Sequence, residues 1–304
     1  LELAKAKDIK QNNVASNIFD IANYFFMFIV VFVMLYPFWN TIVISFNDAM
    51  DSIKGGLWFW PRKPTFFNYK TLFQTRNLID AFWVSVSKTV IVTVLNVFCS
   101  AMAAYILSRK EFVLRNFMTK FIVATMYVNA GLIPQYFLYR SLGLINNYLV
   151  YIIPVMLGAF NVMVIRTFIH ELPESLAESA KIDGAGEFRI FIQIIIPLCK
   201  PVLATIALWV AVGTWNAWFD TFIFASSKQK LSTLQYEMMK LLSSSMVQTR
   251  AVDPNLKAHG SSNIITPNSI RAAITIVASA PIIVSYPFLQ KYFVKGLHLG
   301  GVKG

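Results

Sequence analysis

The chain has 304 residues, 56% of them hydrophobic, 15% aromatic and only 14% charged, and a formal net charge of +12. A mean hydropathy of +0.56 excludes a water-soluble domain with a large core and points to an integral membrane protein. The basic residues are scattered among loops with no basic aromatic patch, so they read as charge flanking membrane spans and not as a nucleic-acid surface.

Residues 1–20, with Lys5, Lys7 and Lys10, read as a polar cytoplasmic lead-in. They do not read as a signal peptide, because the apolar run that follows is too long and lacks a small-residue cleavage site. Residues 21–46 carry no charge and measure about 39 Å as a helix, enough to cross a bilayer. Pro37 is expected to kink this first span. Residues 47–80 read as a loop containing GGLWFWPRKP. Trp58 and Trp60 there suit a membrane interface or contact with a docked partner. The second span is expected over 89–108, followed by Arg109, Lys110, Glu111 and Arg115. The third runs over 121–139 and ends in a turn about Gly143, Asn146 and Asn147. The fourth covers 148–165. After the polar stretch 172–198, the fifth covers 201–219 and extends toward Phe224. Residues 226–270, rich in Ser, Lys and Asn, read as an extracytoplasmic loop. The sixth span, 272–290, is interrupted by Pro281 and Pro287, and 291–304 form the tail.

Six spans put both termini on one side. Short loops carry the topological signal. The loop after span two holds Arg109, Lys110 and Arg115, while the loop after span three holds Arg140 alone. This places both termini and residues 172–198 in the cytoplasm.

Residues 172–198 are the one long stretch between apolar runs that reads as ordered. Pro173 suits a first helical turn, and Glu174 lies near the positive end of the helix dipole. Leu172, Leu176 and Ala180 recur at i, i+4 and i+8 as an apolar stripe. Gly184 can end the helix in a left-handed turn. A second helix would carry Phe188, Phe191, Ile192 and Ile195 on one face, with Pro197 ending it. Asp183 sits at the negative end of the first helix, where a carboxylate is unfavourable, and such a broken local rule marks a residue with another task. Physically the stretch fits an interfacial amphipathic helix or an ordinary cytoplasmic loop as well as a docking segment. The small Ala177, Ser179, Ala180, Gly184, Ala185 and Gly186 would admit another protein surface closely.

The stretch resembles the EAA loop of binding-protein-dependent ABC importer permeases. The matching residues are Glu178-Ser179-Ala180, Asp183-Gly184-Ala185, Phe188 and Ile196-Pro197. Ser179 stands where the pattern has Ala. Two further stretches are similar to sugar-type permeases: GTWNAWFD at 213–220, and PFLQKYFVKG at 287–296 with the ending GGVKG. The likeness is to the carbohydrate branch, on the side of the maltose importer's smaller permease subunit, and within it to complex-polysaccharide permeases including the alginate importer's second permease subunit.

The resemblance implies an all-α integral membrane fold, a single permease domain over 1–304 with six transmembrane helices and a cytoplasmic coupling helix. It implies ATPase coupling through Glu178, Ser179, Ala180, Asp183, Gly184, Ala185, Phe188 and Pro197. It also implies partners: a second permease subunit of different sequence, two ATPase subunits that bind ATP and Mg, an extracytoplasmic solute-binding protein, and an oligo- or polysaccharide, with anionic ones such as alginate among the candidates. The setting would be the bacterial cytoplasmic membrane.

The chain itself shows no phosphate-binding glycine loop, no metal-ligand spacing among His170, His259, His298, Cys99 and Cys199, and no positioned catalytic set. An enzyme is not expected, nor a cofactor bound by this chain. Polar groups within spans are costly in lipid and face the bundle or a wet cavity. Asn129, Asn161, Trp215, Asn216, Trp218 and Asp220 are therefore candidates for a substrate path, with Asn96 and Gln135 as further polar groups. Interhelical hydrogen bonding is the alternative for each amide. Two rival functions remain at this point, an ion-coupled sugar carrier and a membrane receptor. The absence of a visible internal repeat or proton relay speaks against the carrier.

Overall fold

A computed structural model describes residues 14–74, 76–250 and 266–296. The lead-in lysines Lys5, Lys7 and Lys10, with Asp253, His259, His298 and the chain's last eight residues, lie outside the described residues. Two compact units are distinguished, Leu1–Tyr69 with His259–Ile276, and Lys70–Ala258 with Val277–Gly304.

In the first unit, helix α1 (Val14–Ser45) continues unbroken through Pro37, and the Thr41 hydroxyl bonds the Pro37 carbonyl at 2.8 Å. Phe25, Phe28, Val33 and Leu35 are each at least 60% exposed, as a lipid-facing helix requires. The segment expected as a plain loop after it is ordered. It contains α2 (Ala49–Ile53) and α3 (Phe67–Gln74). Buried Asn47 organises the turn: its amide donates to Asp51 Oδ2 (3.1 Å) and Ser52 Oγ (3.0 Å), and its carbonyl accepts from Lys63 N (2.8 Å). Arg62 bonds Asp51 at 2.9 Å, and the Trp39 indole donates to Phe59 O at 2.9 Å. Trp58 and Trp60 remain exposed.

In the second unit, α4 (Arg76–Ser108) starts well before the expected residue 89. The expected boundary stopped at Lys88, yet that ammonium is buried inside the helix bundle and paired. Helices α4, α7 (Ala159–His170) and α11 (Lys200–Asn216) enclose a core that includes Ala104, Ile165, Ile190 and Ile206.

Spans three to five are each broken. Helices α5 (Arg115–Tyr127) and α6 (Leu132–Ser141) meet at 119°; a short 3-10 stretch, Tyr148–Val155, meets α7 at 43°; and Glu187–Leu198 meets α11 at 81°. Among the described residues three helices are long and apolar enough to cross a membrane, or up to six if each bent pair is one span. Such breaks survive in a membrane only where other protein groups satisfy the freed backbone. For span four α4 does this: Asn96 Nδ2 donates to Val155 O (2.6 Å) and Ser100 Oγ accepts from Gly158 N (3.3 Å).

Two other expectations change. The sixth span is one continuous helix, α14 (Pro267–Gly296), not a helix broken at Pro281 and Pro287. In the turn that Pro281 disturbs, the Trp215 indole donates to Ala278 O at 3.0 Å. Residues 226–270 are not irregular throughout. After α12 (Phe219–Phe224) they carry a 3-10 turn, Gln229–Leu231, and helix α13 (Leu234–Arg250), whose alternating Leu, Met and polar residues give it a buried side at Leu234 and Met238.

Candidate functional site: the segment 172–198

The polar stretch folds into α8 (Ser175–Ile182), a turn, and a second helical run. Glu174 precedes α8 and its carbonyl accepts from Ala177 N (3.0 Å), so the helix begins at Ser175, two residues after the expected Pro173 start. The C-terminus closes as the sequence suggests. Gly184 has φ +79°, its N–H bonds Lys181 O (3.0 Å), and Ala185 N bonds Ala180 O (2.9 Å). These two bonds form a Schellman motif, which satisfies carbonyls that a helix end leaves open. Nothing lies within 4 Å of where a Gly184 Cβ would sit, so glycine is needed for the backbone angle and not for space.

The buried stripe differs from the expected one. Ala177 is the buried residue, with Leu172, Ala180 and Ala185 against the same core, while Leu176 is 41% exposed. The helix begins later, at Ser175, than a Leu172–Leu176–Ala180 stripe assumes. In the second run, Ile190, Phe191 and Ile195 are buried, whereas Phe188 and Ile192 are exposed. Ile192 is turned out within a π turn at Phe191–Ile195, where Ile196 N bonds Phe191 O five residues back. The turn widens the spacing of the inward residues. Pro197, with no N–H, follows directly in Ile196–Leu198 (α10).

Glu178, Ser179, Asp183 and Phe188 are all exposed on this platform, and Ile182 is 86% exposed. Among the described residues neither Glu178 nor Asp183 has an ion-pair partner within the chain. The carboxylates that do bind the segment to its surroundings are others. Lys181 Nζ lies 3.0 Å from Glu111 Oε1 and 2.8 Å from Glu187 Oε1; Lys110 Nζ lies 2.7 Å from Glu174 Oε1. Tyr105 OH donates to Glu187 Oε2 at 2.5 Å, and Arg109 approaches both Tyr105 and Glu187. Glu111 is held below its ordinary range, first by a bond to its own backbone and then by Lys181. Lys181 is held above its ordinary range by Glu187 and Glu111. Sequence reasoning missed this set. Its only trace is that the loop after α4 alternates charge while α8 carries the complementary residues.

The substrate-path candidates separate into two groups. Trp215 is buried edge-on against Phe82, Asn161 Nδ2 donates to Asn96 Oδ1 (2.8 Å), and Asp220 is paired with Lys88 at 2.6 Å. Asn129 and Asn216 are exposed and Trp218 is half-buried. Asn129 Oδ1 accepts from Gly131 N at the α5–α6 break, and Asn216 Oδ1 accepts from Gln235 at 3.1 Å. No group of three or more metal-ligating side chains is present among the described residues.

Residues 4–299 match the family described as "Binding-protein-dependent transport system inner membrane component". The chain is 33% identical over 294 residues to Protein LplC of Bacillus subtilis (strain 168), covering 96% of this chain and 97% of that protein. It is 32% identical over 289 residues to the polygalacturonan/rhamnogalacturonan transport system permease protein YtcP of the same organism, covering 95% and 99%. It is also similar, with a TM-score of 0.81 and 26% identity over 96% of this chain and 100% of the other, to a solved chain from a bacterial ABC transporter involved in the import of the acidic polysaccharide alginate.

Proposed function

Because the chain belongs to the family of binding-protein-dependent transport system inner membrane components, we propose that it forms half of the pore of an ATP-driven importer for oligo- or polysaccharides, acidic ones in particular. As a member it is a multi-pass membrane permease and not an enzyme, and it works with an ATPase and a binding protein. The acidic substrate is supported by the names of two similar proteins, one for polygalacturonan and rhamnogalacturonan and one for alginate.

The observation that carries the coupling role is a short helix with Ala177 on its inner side, beside exposed Ile182 and Phe188 and the carboxylates of Glu178 and Asp183, which have no ion-pair partner among the described residues. Apolar groups beside unneutralised carboxylates are what a protein partner with a basic-rimmed cleft would cover. With both termini in the cytoplasm, this side meets the ATPase, and Glu178 and Asp183 supply charge-assisted bonds across the joint. Gly184 sets the turn, Ser179, Ala180 and Ala185 keep the contact close, and Pro197 fixes the exit into α11. ATP closes the ATPase pair, the segment moves with it, and the pore opens toward the loaded binding protein. This is a two-state element biased from both ends. The second permease is a different chain, the ATPase is present twice, and ATP and Mg are held there.

Asn129, Asn216 and Trp218 are the path candidates left accessible, and residues 226–270 reach the binding protein on the outer side. Reconstitution with the partner subunits tests the proposal. Uptake of oligogalacturonide that needs ATP and the ATPase supports it. Uptake driven by an ion gradient alone would make the chain a secondary carrier, and no uptake with any partner would favour a receptor.

A further inference from the structure

We propose that Lys181 and the Lys110–Glu174 pair form an electrostatic latch that makes the loop between α4 and α5 travel with the coupling helix, so that nucleotide-driven motion enters α4 and α5 by this route. The inference rests on the coupling role proposed above. Helix α8 is joined by the chain to α7 on one side and to α9 (Glu187–Ile190) on the other. Its hold on the α4–α5 loop is non-covalent only. The apolar part of that hold is Phe112 of the loop, packed on the core that Ala177 and Ala180 also join, and the two alanines offer no long side chain to fix the register of α8.

The charges supply the register. Lys181 bridges Glu111 of the loop (3.0 Å) and Glu187 at the head of the next helix (2.8 Å), so one ammonium ties three elements together. Lys110 on the loop grips Glu174 at the other end of α8 (2.7 Å). Two grips at opposite ends of a helix fix both its position and its rotation. Every member is at least partly exposed, so each pair contributes little to folding. Its effect falls on the balance between attached and detached positions of the loop. Glu178 and Asp183 take no part in the latch and have no ion-pair partner among the described residues, so they stay available to a partner.

The test uses the assembled transporter with spin labels at Val113→Cys in the loop and Ser175→Cys on α8, in a background with Cys99→Ala and Cys199→Ala. Pulsed dipolar spectroscopy is recorded with and without ATP plus vanadate. The latch predicts one unchanged Val113–Ser175 distance in the otherwise native protein. It predicts a second, nucleotide-dependent population in Lys110→Glu combined with Lys181→Met, increased about fivefold, as loss of exposed pairs allows. Lys181→Arg, and the exchange Lys110→Glu with Glu174→Lys, should restore the single distance, which a merely structural contribution to folding would not require. A native distance that itself shifts with nucleotide, or a variant indistinguishable from native, overturns the latch. A second distance, from Ser175 to a labelled ATPase subunit, separates the two ideas. If it responds to nucleotide while the variants behave as native, the latch alone fails. If it never responds, the coupling role fails and the latch with it.

Discussion

Lys88 Nζ lies 2.6 Å from Asp220 Oδ2, with the lysine side chain 2% exposed and the aspartate 29%. The ammonium also sits 4.5 Å from the Tyr151 ring centre. Tyr151 OH in turn reaches Thr221 (3.1 Å) and Leu231 O (2.8 Å). The pair therefore pins α4 to α12 through the last residue of the GTWNAWFD stretch.

Removing one partner leaves an uncompensated buried charge, which typically costs about 3–5 kcal/mol. Asp220→Leu should be the harsher change, because the ammonium it strands is the more deeply buried group. Lys88→Met should be milder, and Lys88→Met with Asp220→Leu should recover most of the loss. Thermal unfolding of the purified protein in detergent, followed by monodispersity, checks the order. Equal stability of all three variants would contradict the pin.

Asn96 gives a second prediction. It supplies the bond to Val155 O that the break in span four needs, and it receives one from Asn161. Asn96→Leu should destabilise by about 1–3 kcal/mol, the cost of an unsatisfied buried polar group. The preference among saccharides should stay unchanged, since the amide is spent on the backbone. Competition uptake assays on the surviving fraction read this, and a changed preference would return Asn161 to the substrate path.

At Gly184 the strain is purely local. Placing a β-branched residue at φ +79° costs at least about 1–2 kcal/mol, with nothing nearby to clash. Gly184→Val should insert normally yet lose ATP-driven uptake, because the Schellman closure that aims Ala185 and Phe188 is lost. Asp183→Ala should uncouple without moving the backbone. Membrane abundance measured beside uptake tests both; normal uptake in both would remove this turn from the coupling role.

The ion pairs about α8 define a pH window. Glu111 is held below its ordinary value of 4.5, so its contribution is complete above that value and is lost as pH falls through the lowered one. Lys181 is held above its ordinary 10.5, so its contribution is complete below 10.5 and is lost as pH rises through the raised value. Glu187 and Arg109 also face them, and His170 lies beside the Lys110–Glu174 pair at the other end of α8. The Val113–Ser175 label distance should stay single from about pH 5 to about pH 10 and gain a second population in acid below it. A transition near neutrality would mean that other groups hold the loop.

Much of the coupling segment was legible in the sequence because it is local. Gly184 after a small-residue helix specifies its own turn, and the chain's hydropathy specifies its spans. The break in span four was not legible, because the groups that satisfy it, Asn96 and Ser100, lie far away in the chain. The inward spacing after Phe188 was misread for a related reason: a π turn changes the period, and composition alone does not announce one. Lys88 fell just outside the expected second span because a lone lysine reads as a boundary until its partner, 132 residues on, is known. Residues 226–270 read as loop because their polar content conceals the buried side of α13.

The most direct test of the account is site-specific cross-linking from Ile182→Cys in the intact complex, with a short bifunctional reagent added from the cytoplasmic side. The account predicts a product joining this chain to the ATPase subunit, with a yield that changes when ATP is bound. A cysteine at 182 that is labelled only from outside the cell, or that joins no nucleotide-hydrolysing subunit, would contradict it.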